Sequence, residues 1–99
     1  MNASLQEARQ TPNAIILDVR TRGEYAMGHI PGSVLIPLDE LQSQAEKRLP
    51  KDSAIFAYCR SGARSGQAVA LLKQIGYHHV FNMGGILQYK GDLEKGEDG

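Results

Sequence analysis

The chain's one cysteine lies in Tyr58-Cys59-Arg60-Ser61-Gly62-Ala63-Arg64-Ser65, between an apolar run and a helical pattern. That is where a reactive thiolate can be built. The first N–H groups of a helix have no internal partner and carry the positive end of its dipole, so they stabilise an anion lodged before it. Small Ser61, Gly62 and Ala63 let the backbone curl around such an anion, and Arg60 and Arg64 add two permanent positive charges. A cysteine so placed has its pKa lowered from about 8.5 into the range of roughly 3.5 to 7.5. Cys59 is therefore the candidate catalytic nucleophile, with Arg60, Ser61, Gly62, Ala63, Arg64 and Ser65 as the residues that would surround its substrate.

The elements that must position this loop are legible on either side of it. Ala54-Ile55-Phe56-Ala57-Tyr58 follows the turn-prone Pro50-Lys51-Asp52-Ser53 and reads as a buried strand. After Ser65, the spacing of Ala68, Leu71, Leu72 and Ile75 predicts a helix, with Gly76 as its left-handed cap. Upstream, Ser4-x-x-Glu7 predicts a capped opening helix that Pro12 ends, and Ala14 to Val19 has the continuous apolar character of a strand covered on both faces. Thr21-x-x-Glu24 predicts a second capping box for a brief helix stopped at Gly28. Ser33 to Ile36 makes another strand. Leu38, Leu41, Ala45 and Leu49 mark a further helix, and His79 to Met83 a last strand. Strands alternating with helices imply an α/β fold with a parallel sheet and helices on both faces, and in such sheets the ligand site lies beyond the carboxyl ends of the strands, where Cys59 falls.

Ninety-nine residues suit a single domain, 1–99, with the Gly-, Glu-, Asp- and Lys-rich segment 91–99 expected as a frayed tail. Eleven basic and eleven acidic side chains cancel, and no basic stripe interleaved with aromatics occurs outside the cysteine loop, which argues against nucleic acid as a partner. No apolar stretch approaches the ~18 residues of a membrane span, and Met1-Asn2-Ala3-Ser4 does not resemble a secretory signal. A lone cysteine makes no internal disulfide, which suits the reducing cytoplasm; the periplasm is the alternative if a signal has been removed. The chain is expected to be a monomer.

Other candidate residues read as structural. Asp18 and Arg20 end a different strand, and Arg20 is expected to pair with Glu24 and fix the following turn. His78 and His79 would point to opposite faces of a strand and His29 sits in a turn, so no pair has metal-ligand spacing and each reads as satisfied or solvated. Gly84-Gly85 reads as a tight turn between the last strand and a final helix.

Four segments together resemble a known family: Leu17-Asp18-Val19-Arg20 with Glu24-Tyr25; Gly28-His29-Ile30-Pro31-Gly32-Ser33; Cys59 to Ser65; and Gly76-Tyr77 through Val80 to Gly84-Gly85. In this order and spacing they are similar to the single-domain rhodaneses, sulfurtransferases, and in particular to small bacterial members of the phage-shock-protein-E type. The resemblance runs from Ile15 to about Tyr89 and departs at one point: many members have a tryptophan after the paired glycines, where this chain has Tyr89. It implies a rhodanese-like parallel sheet of about five strands. It also implies that Cys59 takes the outer sulfur of a donor such as thiosulfate as a persulfide and passes it to cyanide, a small thiol or a protein thiol, with no cofactor and no metal. The loop's N–H groups would hold the terminal sulfur, Arg60 and Arg64 would attract the donor, and Ser61 and Ser65 would add hydroxyl donors.

Two other readings remain. Phosphatases and arsenate reductases of related fold place one residue more between cysteine and arginine than the four that separate Cys59 from Arg64, because phosphate needs a wider cradle. A persulfide carrier or sensor would keep the same loop and relay sulfur to one protein partner.

Overall fold

Why each segment takes its form is local before it is global. The computed structural model describes residues 1–96. Helix α1 (Asn2–Gln10) ends where Thr11 is held extended ahead of Pro12, as the crowding of the proline ring on its predecessor requires. It begins earlier than the Ser4 box predicts: Met1 is the N-cap, no side chain caps it, and Ser4 falls within the helix. Strand β1 (Ala14–Asp18) leads into α2 (Arg22–Met27), where the Thr21 box forms in full, Thr21 Oγ1 accepting from the Glu24 N–H and Glu24 accepting from the Thr21 N–H. Strand β2 is only Val34–Leu35. Helix α3 (Leu38–Arg48) carries Asp39 and Glu40 in its first turn and Lys47 and Arg48 in its last, matching its dipole. Strand β3 (Ala54–Cys59), helix α4 (Ala63–Gln74) and strand β4 (His79–Gly85) complete the order.

The strands form one parallel sheet in the order β2-β1-β3-β4, which places the cysteine strand between two neighbours. Among the described residues the strand count is four, not about five. After Gly85 the chain turns through a single 3-10 turn, Ile86–Gln88, and among the described residues nothing further joins the sheet. The final helix is reduced to that turn.

Alternation along β3 decides which layer each side chain enters. Ile55, Ala57 and Cys59 face a core with Leu41, Ala45, Ala68 and Leu72 from α3 and α4. Phe56 and Tyr58 face the opposite side, with Leu5 and Ala8 of α1. Helices thus cover both faces, and Cys59 emerges on the side from which α4 departs. Tyr77 closes that layer, its hydroxyl lying 2.6 Å from the Leu49 carbonyl and 3.0 Å from that of Ala45 at the end of α3.

The segment expected to fray is in part a strap. Glu94 exchanges backbone hydrogen bonds with His29 (2.8 and 2.9 Å), and the Gly96 N–H reaches Ala26 O. The remainder of the expected tail, 97–99, lies outside the described residues. His29 itself is fully buried and stacked on Tyr25, its Nδ1 donating to Tyr25 O at 2.7 Å. Its Nε2 has no hydrogen-bond partner among the described residues, so the ring is neither solvated nor fully satisfied there.

Candidate active site

The end of β3 delivers Cys59 directly into a tight loop. Gly62 turns the chain with φ 107°, in the left-handed region that favours glycine, and serves as N-cap of α4 with no side-chain cap of its own. The first helical bond is Gly66 N–H to Gly62 O, so α4 begins at Ala63 and takes in Arg64 and Ser65. In place of a cap, the sulfur occupies the helix start. Gly62 N–H donates to Sγ at 3.0 Å, and Ser65 Oγ lies 3.4 Å from it.

These contacts set the thiol's acidity. Burial, to 1 % exposure, pushes its pKa up, but the Ser65 hydroxyl and the N–H groups of Ser65, Gly62 and Ser61 favour the anion more strongly, and the net shift is downward from 9.0. The groups in direct contact with the charge are neutral dipoles, and Arg64, which pairs with Glu24, adds only an attraction from farther away. Of the two serines in the loop, only Ser65 brings its hydroxyl to the sulfur; Ser61 is exposed and contributes its backbone.

The arginines divide differently from expectation. Arg64 forms a two-pronged pair with Glu24, at 2.7 and 3.0 Å, which holds the Glu24 carboxyl down at about 2. Arg60 is exposed and, among the described residues, has no side-chain partner. Arg20 does not pair with Glu24. It forks onto Asp18 (2.7 to 3.0 Å) and reaches Gly28 O at 2.8 Å. The reason is topological: β1 and β3 are neighbours in register, Asp18 opposite Tyr58, so α2 after β1 overhangs the first turn of α4 after β3.

Two residues not singled out as site residues from sequence hold the loop from below. Asn82 of β4 donates through Nδ2 to Gly62 O (3.1 Å), while its Oδ1 accepts from Gly84 N–H (2.9 Å) and Ser65 Oγ (2.7 Å). The Ser65 hydroxyl has one hydrogen and three acceptors within reach: Asn82 Oδ1, Gly62 O at 3.1 Å and the sulfur. Gly85 lies so close under the loop that a Cβ there would stand 2.3 Å from Arg60 O and 2.6 Å from Ser61 Cα. The paired glycines therefore do not form a free-standing turn; they end β4 against the loop. A polar Asn82 beside Met83-Gly84-Gly85 was the available signal, without a marker for its partner.

Two hollows open beside the site. One, of about 350 Å³, is lined by Val19, Pro37, Leu38 and Arg64; the other, of about 320 Å³, by Arg60, Met27, Leu87 and Leu93. Arg20 borders both. Among the described residues no three His, Cys, Asp or Glu side chains converge as a metal site would require.

The sequence that places a buried sulfur among N–H donors, at the carboxyl end of a central parallel strand and the start of a helix, is matched by a family model. Residues 1–92 match the rhodanese-like domain. The chain belongs to the rhodanese-like family. It is 40% identical over 85 residues to a sulfurtransferase of Allochromatium vinosum, covering 85% of this chain and 78% of that one. It is 38% identical over 71 residues to the thiosulfate sulfurtransferase PspE of Escherichia coli, covering 71% of this chain and 68% of that one. Among solved structures, a rhodanese-like domain protein from Staphylococcus aureus superimposes with a TM-score of 0.81 at 31% identity, over 95% of this chain and 92% of that one. The chain thus stands beside sulfurtransferases by sequence and among rhodanese-like domains by fold. No helix among its described residues is long and apolar enough to cross a membrane.

Proposed function

We propose that this rhodanese is a thiosulfate sulfurtransferase in which Cys59 carries the sulfur. The Cys59 thiolate attacks the outer sulfur of thiosulfate or of a persulfide donor. The donor's S–S bond breaks, sulfite or a thiolate departs with the electron pair, and Cys59 is left as a persulfide. Cyanide or a thiol then attacks the outer sulfur, and Cys59 leaves as the thiolate it began as.

The observation that carries this reading is the set of neutral donors converging on one buried sulfur: Gly62 N–H at 3.0 Å, the Ser65 hydroxyl at 3.4 Å, and the N–H groups of Ser61 and Ser65. Neutral donors stabilise a negative charge on Sγ without capturing it in an ion pair, and the same donors suit a charge that moves to the outer atom of a persulfide. Ala63, first in the helix, and Gly62 leave the loop free of bulk at this point. Arg60, which has no side-chain partner among the described residues, supplies positive charge at the mouth that draws an anionic donor. Arg64 acts through its pair with Glu24 and favours departing sulfite less than an unpaired arginine would. The protein works in this reading as a cytoplasmic monomer on small sulfur compounds.

Intact mass after incubation with thiosulfate tests it. The wild type gains about 32 mass units, one sulfur atom, and loses them on addition of cyanide, while Cys59→Ser gains nothing. A gain that persists in Cys59→Ser, or none in either protein with thiosulfate or an alkyl persulfide, overturns the assignment.

A further inference from the structure

The described residues expose four large apolar side chains, and three of them, Met27 (81%), Leu87 (67%) and Leu93 (43%), line the same hollow, beside Arg60. They come from three separate segments: the end of α2, the 3-10 turn after β4, and the strap that Glu94 ties to His29. Solvent-facing apolar side chains scattered singly are ordinary, but their concentration in one place marks a surface that something covers. Burial within the fold does not account for it, because Met27 projects almost wholly into solvent.

Charge narrows what covers it. The hollow also borders Glu24 and Arg20, but Glu24 is held by Arg64 and Arg20 by Asp18. Arg60 is the cation left without a partner among the described residues, and it is the residue directly after the nucleophile. The complementary occupant is apolar where it meets Met27, Leu87 and Leu93 and negative where it meets Arg60. The protruding position of Met27 suits a partner surface that wraps around it more than a small molecule held in a concave cleft.

On the reading that Cys59 forms a persulfide, we propose that this hollow docks the sulfur acceptor, and that the acceptor is a protein whose reactive cysteine lies in an apolar segment with an acidic residue adjoining it. The chain has no second cysteine to take the sulfur, so the acceptor thiol comes from outside. The acceptor thiolate attacks the outer sulfur of the Cys59 persulfide. The bond from that sulfur to Sγ breaks, Cys59 leaves as thiolate, and the acceptor becomes the persulfide, its proton count unchanged. Sulfur moves as a neutral atom, so no oxidant or reductant is consumed.

The experiment loads the protein with sulfur from thiosulfate, removes the excess, and follows loss of the added mass to three probes: cyanide, and two short peptides in which leucines flank a cysteine with either glutamate or lysine beside it. Lysine raises a neighbouring thiol's ionised fraction, so intrinsic reactivity favours the lysine peptide. A docking site with Arg60 reverses this, and the glutamate peptide is expected to react about tenfold faster. Met27→Ser combined with Leu87→Ser is expected to slow the glutamate peptide by about tenfold, the loss of one or two apolar contacts, and to leave discharge by cyanide unchanged. Arg60→Glu is expected to restore the lysine preference.

A persulfide that cyanide discharges normally, with peptide rates set only by ionised fraction and indifferent to Met27 and Leu87, overturns the docking site and leaves the sulfurtransferase reading standing. Failure of the persulfide to form overturns both. Concentration-dependent dimerisation abolished by Met27→Ser also overturns the proposal, because the apolar side chains would then be covered by a second copy.

Discussion

Two adjacent strands end side by side in this protein and treat negative charge in opposite ways. At the end of β1, the Asp18 carboxylate is fully buried and gripped by the Arg20 guanidinium and N–H, with the Tyr58 ring beneath the guanidinium at 5.6 Å from its centre. At the end of β3, the Cys59 sulfur is equally buried, yet only N–H groups and one hydroxyl turn toward it. The first arrangement neutralises its charge with a whole opposite charge and becomes part of the framework. The second stabilises charge with partial dipoles that stay in place when the charge moves. Burial alone does not make a site; the kind of group that answers the buried charge does.

The comparison can be broken at either end. Cys59→Ser removes the proposed nucleophile within nearly the same volume. Sulfur transfer is expected to vanish while the circular dichroism spectrum and the unfolding midpoint remain close to wild type; activity above a few per cent would displace Cys59 from its role. Asp18→Ala leaves Arg20 buried to 6% exposure without its partner, and denaturant unfolding should register a loss of about 3 to 5 kcal/mol, with the folded fraction still able to form a persulfide. A loss under 1 kcal/mol would mean the pair is not framework.

Gly85→Ala separates loop geometry from loop chemistry. Its Cβ meets the backbone of Arg60 and Ser61, which cannot yield as a flexible side chain does, so the loop must shift. A displacement of this order is expected to slow persulfide formation by about 100-fold. Unchanged rates would show that the loop adapts without cost.

Ser65→Ala tests the dipoles themselves. The wild-type thiol pKa lies below 9.0, so thiolate is present above that lowered value and the rate of alkylation by a neutral haloacetamide rises through a midpoint under 9.0. Removing the hydroxyl moves that midpoint upward and slows transfer near neutral pH by about tenfold, the loss of one donor to an anion. A midpoint that stays fixed would assign the acidity to the backbone alone.

The smallest effect belongs to the half-buried pair of Glu24 and Arg64. Glu24 has its carboxyl lowered from 4.5 to about 2. Its contribution to stability is complete above pH 4.5 and is lost as pH falls through about 2. Glu24→Gln, which keeps the capping box, is expected to remove that acid dependence at a cost of about 0.2 to 1 kcal/mol at neutral pH. Acid unfolding profiles of the two proteins that coincide would rule out the pair as a source of stability.

What could be read from the chain and what could not follows the distance over which each contact acts. Thr21 and Glu24 are three residues apart, and their capping box forms as the spacing predicts. Glu24 has a second partner, Arg64, forty residues away, and no local pattern announces it; the nearer Arg20 was the natural expectation and was wrong. Ser4 shows the converse, a good local box overruled because α1 starts at Asn2 to lay Leu5 and Ala8 on the sheet. Gly84-Gly85 carries a local signal for a turn, but its meaning comes from the loop pressed against it.

The order of residues by itself determined the alternation of strands and helices, the position of Cys59 at a strand's end before a helix, and the family, because these depend on short-range periodicity, turn chemistry and a run of motifs. Tertiary structure alone decided which arginine is paired, that the sheet has four strands, that Asn82 and Gly85 support the loop, and that Met27, Leu87 and Leu93 share one hollow. Those outcomes depend on which strands lie side by side, and parallel strands bring together residues that the connecting helices keep far apart in the chain.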